Sequence, residues 1–112
     1  MVDSYIPERG DIVLLNFDPQ LGKEQSGRRP ALVLSPHRYN SKVGLAIVCP
    51  ITSQIKGYPF EVILSSHLNT HGAILIDHIK NVDWAARRVK FLEKINRGTL
   101  EEVQTKIRLL VS

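Results

Sequence analysis

The side chains best suited to phosphate chemistry lie in residues 22–36, where a polar loop leads into an apolar run. Glu24 supplies a carboxylate, and Arg28 and Arg29 supply two adjacent guanidinium groups directly before the run. Because Pro30 disfavours a helical conformation at Arg29, we predict that Arg29 enters a strand and that the two arginines point to opposite faces. A guanidinium fixed at the start of a strand can bind a phosphate, whereas a surface ion pair with Glu24 is the alternative interpretation.

Hydroxyl and titratable side chains follow two other apolar runs. Thr52 and Ser53 come directly after Ile51, where a hydroxyl can either cap a turn or donate to a phosphate oxygen. Asp77 and His78 come at the end of another run, and a titratable pair in that place suits acid–base catalysis. Solvated strand ends carry such residues routinely, so the sequence leaves both interpretations open.

Other catalytic arrangements are not visible in the sequence. His67 and His71 have i, i+4 spacing, but residues 65–72 have loop composition and no Cys or Glu stands beside them to complete a metal site. There is no glycine-rich phosphate loop and no nucleophile elbow. We therefore expect neither a metal nor a cofactor. The single cysteine, Cys49, ends a buried run and is interpreted as a packing thiol rather than a nucleophile.

Composition indicates one globular domain over residues 1–112. The hydrophobic content is 43%, and charged residues make up 23%. A formal charge of +4 permits a polyanionic partner without requiring one. One cysteine allows no internal disulfide, which favours the cytoplasm. No apolar stretch approaches the roughly 18 residues of a membrane span, and no signal-peptide pattern is present, so we expect no membrane association.

The elements that must position these side chains are short strands with one helix at the end. Apolar runs of this length, separated by Gly, Pro, Asn or Ser and without helix-length gaps between them, favour antiparallel pairing in a barrel or sandwich. In the final segment, Thr99 and Glu102 have the form of a capping box, and four apolar residues then recur at helical spacing. The predicted strands span residues 12–17, 31–34, 45–48, 60–64 and 73–76, with weaker candidates at 79–84 and 89–95.

Several spaced motifs together resemble the MazF toxin family over nearly the whole chain. They lie at residues 10–11, 17–19, 22–30, 34–36, 39–40, 50–54, 56–62 and 77–84, including Gly-Arg-Arg-Pro and Pro-Ile-Thr-Ser-Gln. The resemblance implies a ribosome-independent endoribonuclease that cuts single-stranded RNA at a short sequence, as the toxin of a type II toxin–antitoxin pair. It also implies a small, twisted, antiparallel SH3-like barrel with a C-terminal α-helix, assembled as a homodimer, and a MazE-like antitoxin whose acidic tail covers the RNA groove.

The same resemblance implies roles for individual residues. Arg29 matches the catalytic arginine, Thr52 matches the threonine that holds the scissile phosphate, and either Glu24 or Asp77 is the expected base. A first departure is Arg28, which stands where some relatives carry histidine. A second is His78, which replaces the usual glutamine; if this position contacts a base, the recognition sequence is expected to differ from that of the relatives. The further expected RNA contacts are Phe17, Gln25, Arg28, Ser53, Lys56, His78, Lys80 and Arg87, although Phe17 could instead pack in the core.

Two other functional classes are considered. A CcdB-like gyrase poison would share the fold but would not need Arg29 and Thr52, so replacing Arg29 would spare its toxicity. A non-catalytic SH3-like module would bind RNA or peptide, and RNA binding would be salt-sensitive while the RNA stays intact. Neither class explains the joint match of both polar segments.

Overall fold

A computed structural model describes residues 4–18, 22–23 and 27–112. The elements follow in the order β1 (Asp11–Asn16), β2 (Arg28–Val33), α1 (His37–Val43), β3 (Ala46–Thr52), β4 (Glu61–Ile63), β5 (Ala73–Leu75), a 3₁₀ turn (Ile76–His78), β6 (Lys80–Val82), β7 (Lys90–Lys94) and α2 (Arg97–Val111). All strand pairs are antiparallel, in the order β4-β5-β3-β2-β1-β7, and β6 also pairs with β3. No pairing of β4 with β7 closes the sheet within the described residues.

The predicted fold class, a mainly antiparallel and barrel-like sheet with a C-terminal helix, is confirmed. Each of the seven apolar runs overlaps a strand. The runs are nearly continuous because both faces of the central strands are buried. On β2, for example, Leu32 points into one apolar cluster while Ala31 and Val33 point into the other.

The first cluster packs beneath α2. It contains Ile12, Leu32, Cys49, Ile51, Val62, Leu64, Ile74, Ile76 and Val103, the last contributed by the helix. The second cluster lies on the opposite face and contains Val13, Leu15, Phe17, Ala31, Val33, Ala46, Val48 and Val82. Cys49 is fully buried, as predicted for a packing thiol.

The start of α2 differs from the prediction. Asn96 is the N-cap with extended backbone, and the N–H of Leu100 donates to its carbonyl oxygen at 3.2 Å, so the helix begins at Arg97. Thr99 therefore lies inside the first turn, and its hydroxyl donates to the Asn96 side-chain oxygen at 3.0 Å. The predicted capping box of Thr99 and Glu102 is wrong, because Asn96 and not Thr99 occupies the N-cap position.

Helix α1 was not predicted from the sequence. This helix is held by Asn40, whose buried amide donates to the carbonyl oxygens of Pro7 and Ser35 and whose side-chain oxygen accepts from the Ser35 hydroxyl. The helix ends at Gly44, which has a φ of +78°. These contacts connect α1 to the N-terminal segment, so tertiary hydrogen bonds rather than an apolar stripe stabilise it.

Candidate functional site

The register between β2 and β3 places Arg29 and Thr52 near each other. Ala31 pairs with Pro50 in this antiparallel ladder. Arg29 lies two residues before Ala31, and Thr52 lies two residues after Pro50, so continuing the register places Arg29 opposite Thr52. Because side chains alternate along a strand, both project from the face that carries Ala31 and Pro50. The two residues predicted from separate polar segments thus share one face at one end of the sheet.

Thr52 is held from several directions. Its backbone pairs with Ala73 of β5, and the residue is only 6% exposed. The hydroxyl oxygen accepts from the backbone N–H of Gln54 at 3.1 Å, so the residue caps the turn after β3. A hydroxyl that accepts one hydrogen bond keeps its own proton for donation, so capping a turn and binding an anion are compatible here. Ser53, the next residue, is exposed.

The loop between β3 and β4, residues 53–60, is fixed by a buried carboxylate. Glu61 is 8% exposed, and both of its oxygens accept from the N–H of Lys56, at 3.2 and 3.1 Å. One of them also accepts from the N–H of Gly57 at 2.7 Å. The Lys56 side chain itself remains exposed and available to a ligand. Glu61 was not identified from the sequence, because only the folded turn brings it against these amides.

Asp77 and His78 lie on the 3₁₀ turn between β5 and β6. This turn runs alongside the middle of β3, since β5 pairs with the end of β3 and β6 pairs with its beginning. Asp77 is exposed and accepts a hydrogen bond from the Tyr58 hydroxyl, with 2.8 Å between Oη and Oδ1. His78 is half-buried.

Two nearby pKa values reflect this arrangement. Desolvation, the hydrogen bond to Asp77 and the negative charges of Asp77 and Glu61 together raise the pKa of Tyr58 to about 12. Burial, and secondarily the charge of Asp77, raises the pKa of the Cys49 thiol to about 12. The Tyr58 hydroxyl is therefore a proton donor at any pH at which the protein would act, and Cys49 is not a nucleophile.

A polar cavity of about 270 Å³ opens beside Thr52. Its lining combines two lysines, a histidine, two hydroxyls, an amide and one leucine with the Glu61 carboxylate. Because the Glu61 oxygens already accept from the amides of Lys56 and Gly57, the lysines are left to bind an anionic ligand. The cavity brings together three of the predicted site residues. Its lining residues are Lys23, Thr52, Gln54, Lys56, Tyr58, Glu61, Leu75 and His78.

Phe17 does not present a stacking surface. The residue is 3% exposed and belongs to the second apolar cluster, so the predicted role in stacking a base is wrong. The alternative of core packing is the observed one. Lys80 lies over the ring, with Nζ 5.5 Å from the ring centroid, a distance typical of a cation–π contact. The Lys80 side chain is half-buried and remains a predicted RNA contact.

Arg28 and Arg87 connect the adjoining ends of β1 and β2 to the loop before β7. Arg28 donates through Nη2 to the carbonyl oxygen of Arg88 at 2.7 Å, and Arg87 donates through Nη1 to the carbonyl oxygen of Asn16 at 3.0 Å. Because a guanidinium has five N–H donors, these bonds leave others for a phosphate. Contact with RNA stays a prediction for both arginines.

Two of the predicted residues, Glu24 and Gln25, lie outside the described residues. In residues 4–18, 22–23 and 27–112, no group of three or more His, Cys, Asp or Glu side chains is placed to hold a metal ion. Across the same part of the chain, no helix is both long and apolar enough to cross a bilayer.

Comparison with known proteins identifies the family. A family model described as the PemK-like, MazF-like toxin of type II toxin–antitoxin systems matches residues 8–111. The chain belongs to the MazF-like toxin family. The family predicted from the spaced motifs is thereby confirmed.

Relatives and solved structures of the MazF-like family match almost the entire chain. Endoribonuclease toxin MazF of Escherichia coli K12 is 42% identical over 111 residues, which are 99% of each chain. Endoribonuclease toxin ChpB of the same strain is 34% identical over 110 residues, with 93% of each chain covered. The crystal structure of MazF (Form-I) from Deinococcus radiodurans is 50% identical, with a TM-score of 0.93, and the match covers 96% of this chain and 98% of that one.

A structure of a MazE–MazF complex is also similar. The Form-II complex from Deinococcus radiodurans contains a chain that is 50% identical, with a TM-score of 0.88, covering 96% of this chain and 97% of that one. At this identity and coverage the MazF-like fold extends over the entire sheet and α2, including the strands that carry Arg29 and Thr52.

Proposed function

We propose that this protein is an endoribonuclease toxin that cuts single-stranded RNA at a short sequence, independently of the ribosome, and thereby stops translation and growth. The observation that carries the proposal is the placement of Arg29 and Thr52 on one face of adjoining strands, with Thr52 lining a polar cavity. The names of the curated relatives, which are endoribonucleases, support the same activity.

The proposed chemistry uses the nucleophile that RNA itself carries. The 2′-hydroxyl oxygen attacks the adjacent phosphorus, the bond to the 5′-oxygen breaks, and the products are a 2′,3′-cyclic phosphate and a 5′-hydroxyl. One group removes the 2′-hydroxyl proton and another delivers a proton to the leaving 5′-oxygen. No metal is required, because the negative charge that develops on the phosphorane can be stabilised by a guanidinium.

Within this scheme Arg29 stabilises the phosphorane, since a guanidinium stays charged in water. Thr52 donates its hydroxyl proton to a phosphate oxygen while Gln54 holds the hydroxyl oxygen in place. The base is Glu24 or Asp77. The RNA is further bound by Gln25, Arg28, Ser53, Lys56, His78, Lys80 and Arg87, of which Lys56 and His78 line the cavity with Thr52.

We also propose a MazE-like antitoxin as partner, with an acidic tail that occupies the same basic surface as RNA. The net charge of +4 suits both ligands, since each presents repeated negative charge. The similarity to a chain from a MazE–MazF complex supports this partner.

A homodimer is the proposed assembly. The end of α2 exposes Leu109 at 71% and Val111 at 74%, and these neighbouring apolar side chains form a surface that a second copy would cover. An apolar groove of about 470 Å³ lies nearby between α1 and α2, with Leu34, Pro36 and Ile107 among its lining residues. Sedimentation at micromolar concentration tests the assembly, and a monomer there would contradict it.

The decisive experiment compares wild-type protein with Arg29→Ala on a long single-stranded RNA in EDTA. We expect the wild type to cut at one short motif, leaving cyclic phosphate and 5′-hydroxyl ends. Arg29→Ala is expected to lose at least about 100-fold in rate, because it lacks the donor to the phosphorane. Arg97→Ala is the matched control, since it removes the same charge from a side chain that is 91% exposed on α2.

Each alternative outcome has a distinct meaning. Cleavage by Arg29→Ala at the wild-type rate would contradict the assigned chemistry. Activity that EDTA abolishes and magnesium restores would contradict the metal-free mechanism. Intact RNA with a folded wild-type protein would contradict the nuclease, and toxicity that survives Arg29→Ala in cells would then indicate a gyrase poison.

A further inference from the structure

Tyr58 connects the two segments that border the cavity. It lies on the loop between β3 and β4, and its hydroxyl donates to Oδ1 of Asp77 on the 3₁₀ turn at 2.8 Å. Tyr58 also lines the cavity itself, as does His78, the residue next to Asp77. This hydrogen bond therefore links a residue of the cavity wall directly to a predicted catalytic carboxylate.

The loop that carries Tyr58 does not depend on this bond for its shape. Glu61 holds the amides of Lys56 and Gly57, and the carbonyl oxygen of Phe60 accepts from the N–H of Ile76 at 2.9 Å. The Lys106 ammonium on α2 donates to the carbonyl oxygen of Pro59 at 2.9 Å. Removing only the Tyr58 hydroxyl should consequently leave the loop in place.

The bond also contributes little to stability. Asp77 is exposed, and an exposed carboxylate can be hydrated equally well without a protein donor. Water would not hold the Asp77 carboxylate in one orientation, whereas the bond from Tyr58 does. With Oδ1 bound to Tyr58, no hydrogen bond to Oδ2 is formed by any residue that the structure describes. Oδ2 is thus the oxygen left to accept from a ligand.

We propose that Tyr58 is a positioning residue for RNA cleavage, which orients the Asp77 carboxylate so that Oδ2 accepts a hydrogen bond or proton from RNA bound beside Thr52. This inference rests on the proposed function and adds a residue to it. The raised pKa of Tyr58, about 12, is consistent with a hydroxyl that donates throughout the working pH range.

The test is a double-mutant cycle with Tyr58→Phe, Asp77→Asn and the double variant, assayed for cleavage over a range of RNA concentrations up to saturation. We expect Tyr58→Phe to lower kcat roughly 10-fold with KM within about 2-fold, because orientation matters in the transition state and not in binding. We expect the double variant to be no slower than Asp77→Asn alone, because Tyr58 acts only through that carboxylate.

Tyr39→Phe is the matched control. It removes the same atom from another half-buried tyrosine, whose hydroxyl oxygen accepts from Asn81 at 2.8 Å and lies outside the cavity lining. We expect its kcat to equal that of the wild type. Thermal unfolding of all variants shows whether a loss of activity merely reflects a loss of structure.

The outcomes separate the inference from the proposed function. If the wild type cuts RNA and Tyr58→Phe cuts it at the same kcat, the inference alone is overturned. A wild-type rate in Asp77→Asn, fully additive losses, or a loss in Tyr58→Phe that follows a lowered melting temperature would overturn it as well. If the wild type leaves RNA intact, both the proposed function and the inference fail.

Discussion

Gly72 is the position where one added methyl group should disturb the site most. It has a φ of +124°, and a Cβ atom added there would lie 2.1 Å from the carbonyl oxygen of Thr52 and 2.9 Å from its carbonyl carbon. Gly72 directly precedes Ala73, which pairs with Thr52. In Gly72→Ala, the end of β3 would therefore have to move by at least about 1.3 Å to restore an ordinary van der Waals distance.

Two costs add in this variant. A backbone conformation reserved for glycine costs about 1–3 kcal/mol with a side chain present. Forcing a methyl group into packed backbone costs about 1–3 kcal/mol more. We expect a total near 4 kcal/mol, a large part of the roughly 5–15 kcal/mol by which a domain is stable. For a domain of this size, that corresponds to a melting temperature lower by about 10–20 °C.

Gly44→Ala separates the two costs. Gly44 has a φ of +78°, and apart from its chain neighbours no atom of the described residues lies within 4 Å of the position that an added methyl group would occupy. Only the backbone cost of about 1–2 kcal/mol therefore applies. Thermal unfolding at equal protein concentration should rank wild type, Gly44→Ala and Gly72→Ala in that order. Equal destabilisation of the two variants would refute the argument from the Thr52 contact.

Cleavage assays below both melting temperatures extend the same comparison. A displacement of about 1.3 Å at Thr52 should slow cleavage by about 100-fold in Gly72→Ala, whereas Gly44→Ala should cleave at the wild-type rate. Unchanged cleavage by a folded Gly72→Ala protein would show that Thr52 tolerates the shift or is not needed.

Two further predictions concern stability. Asn40→Ala should lower the free energy of unfolding by about 3 kcal/mol, because it removes the Asn40 amide that donates to the buried carbonyl oxygens of Pro7 and Ser35. Urea unfolding measures this loss, and a loss below about 1 kcal/mol would contradict the argument. Glu93 accepts from the Thr70 hydroxyl and from the amides of Asn69 and Thr70, and these bonds lower its pKa below 4.5. Because the carboxyl is mostly solvated, Glu93→Gln should cost only about 0.5 kcal/mol at pH 7. That difference should vanish as the pH falls below 4.5, and a constant difference down to about pH 3 would contradict it.

Sequence reasoning located the strands because their apolar runs are local signals. It also brought Arg29 and Thr52 together, but only through family resemblance, since the register of β2 against β3 cannot be read from either segment alone. The same limitation explains why the sequence could not decide between a stacking role and core packing for Phe17. A phenylalanine at the end of a strand can stack on a ligand or pack inside, and the decision depends on a second apolar cluster assembled from distant strands.

The features that sequence reasoning missed depend on tertiary hydrogen bonds. Helix α1 has no apolar stripe and is stabilised through Asn40 by contacts that span up to 33 positions in the chain. Glu61 and Tyr58 shape the cavity through bonds to the β3–β4 loop and to Asp77. Both residues belong to the motif at 56–62 that carries part of the family resemblance, but nothing in that motif reveals which partners their side chains bond.

The pairing of β3 on both edges limits the ways in which the candidate site could be inactivated. One edge of β3 is covered by β2, and the other is covered first by β6 and then by β5. Because the middle of β3 is paired along both edges, we expect its backbone amides to exchange with deuterium mainly through global unfolding. We therefore expect no locally unfolded, inactive state in which the middle of β3 alone is detached from the sheet. Control of the proposed activity is then expected to come from a second molecule that occupies the site, or from complete loss of the fold.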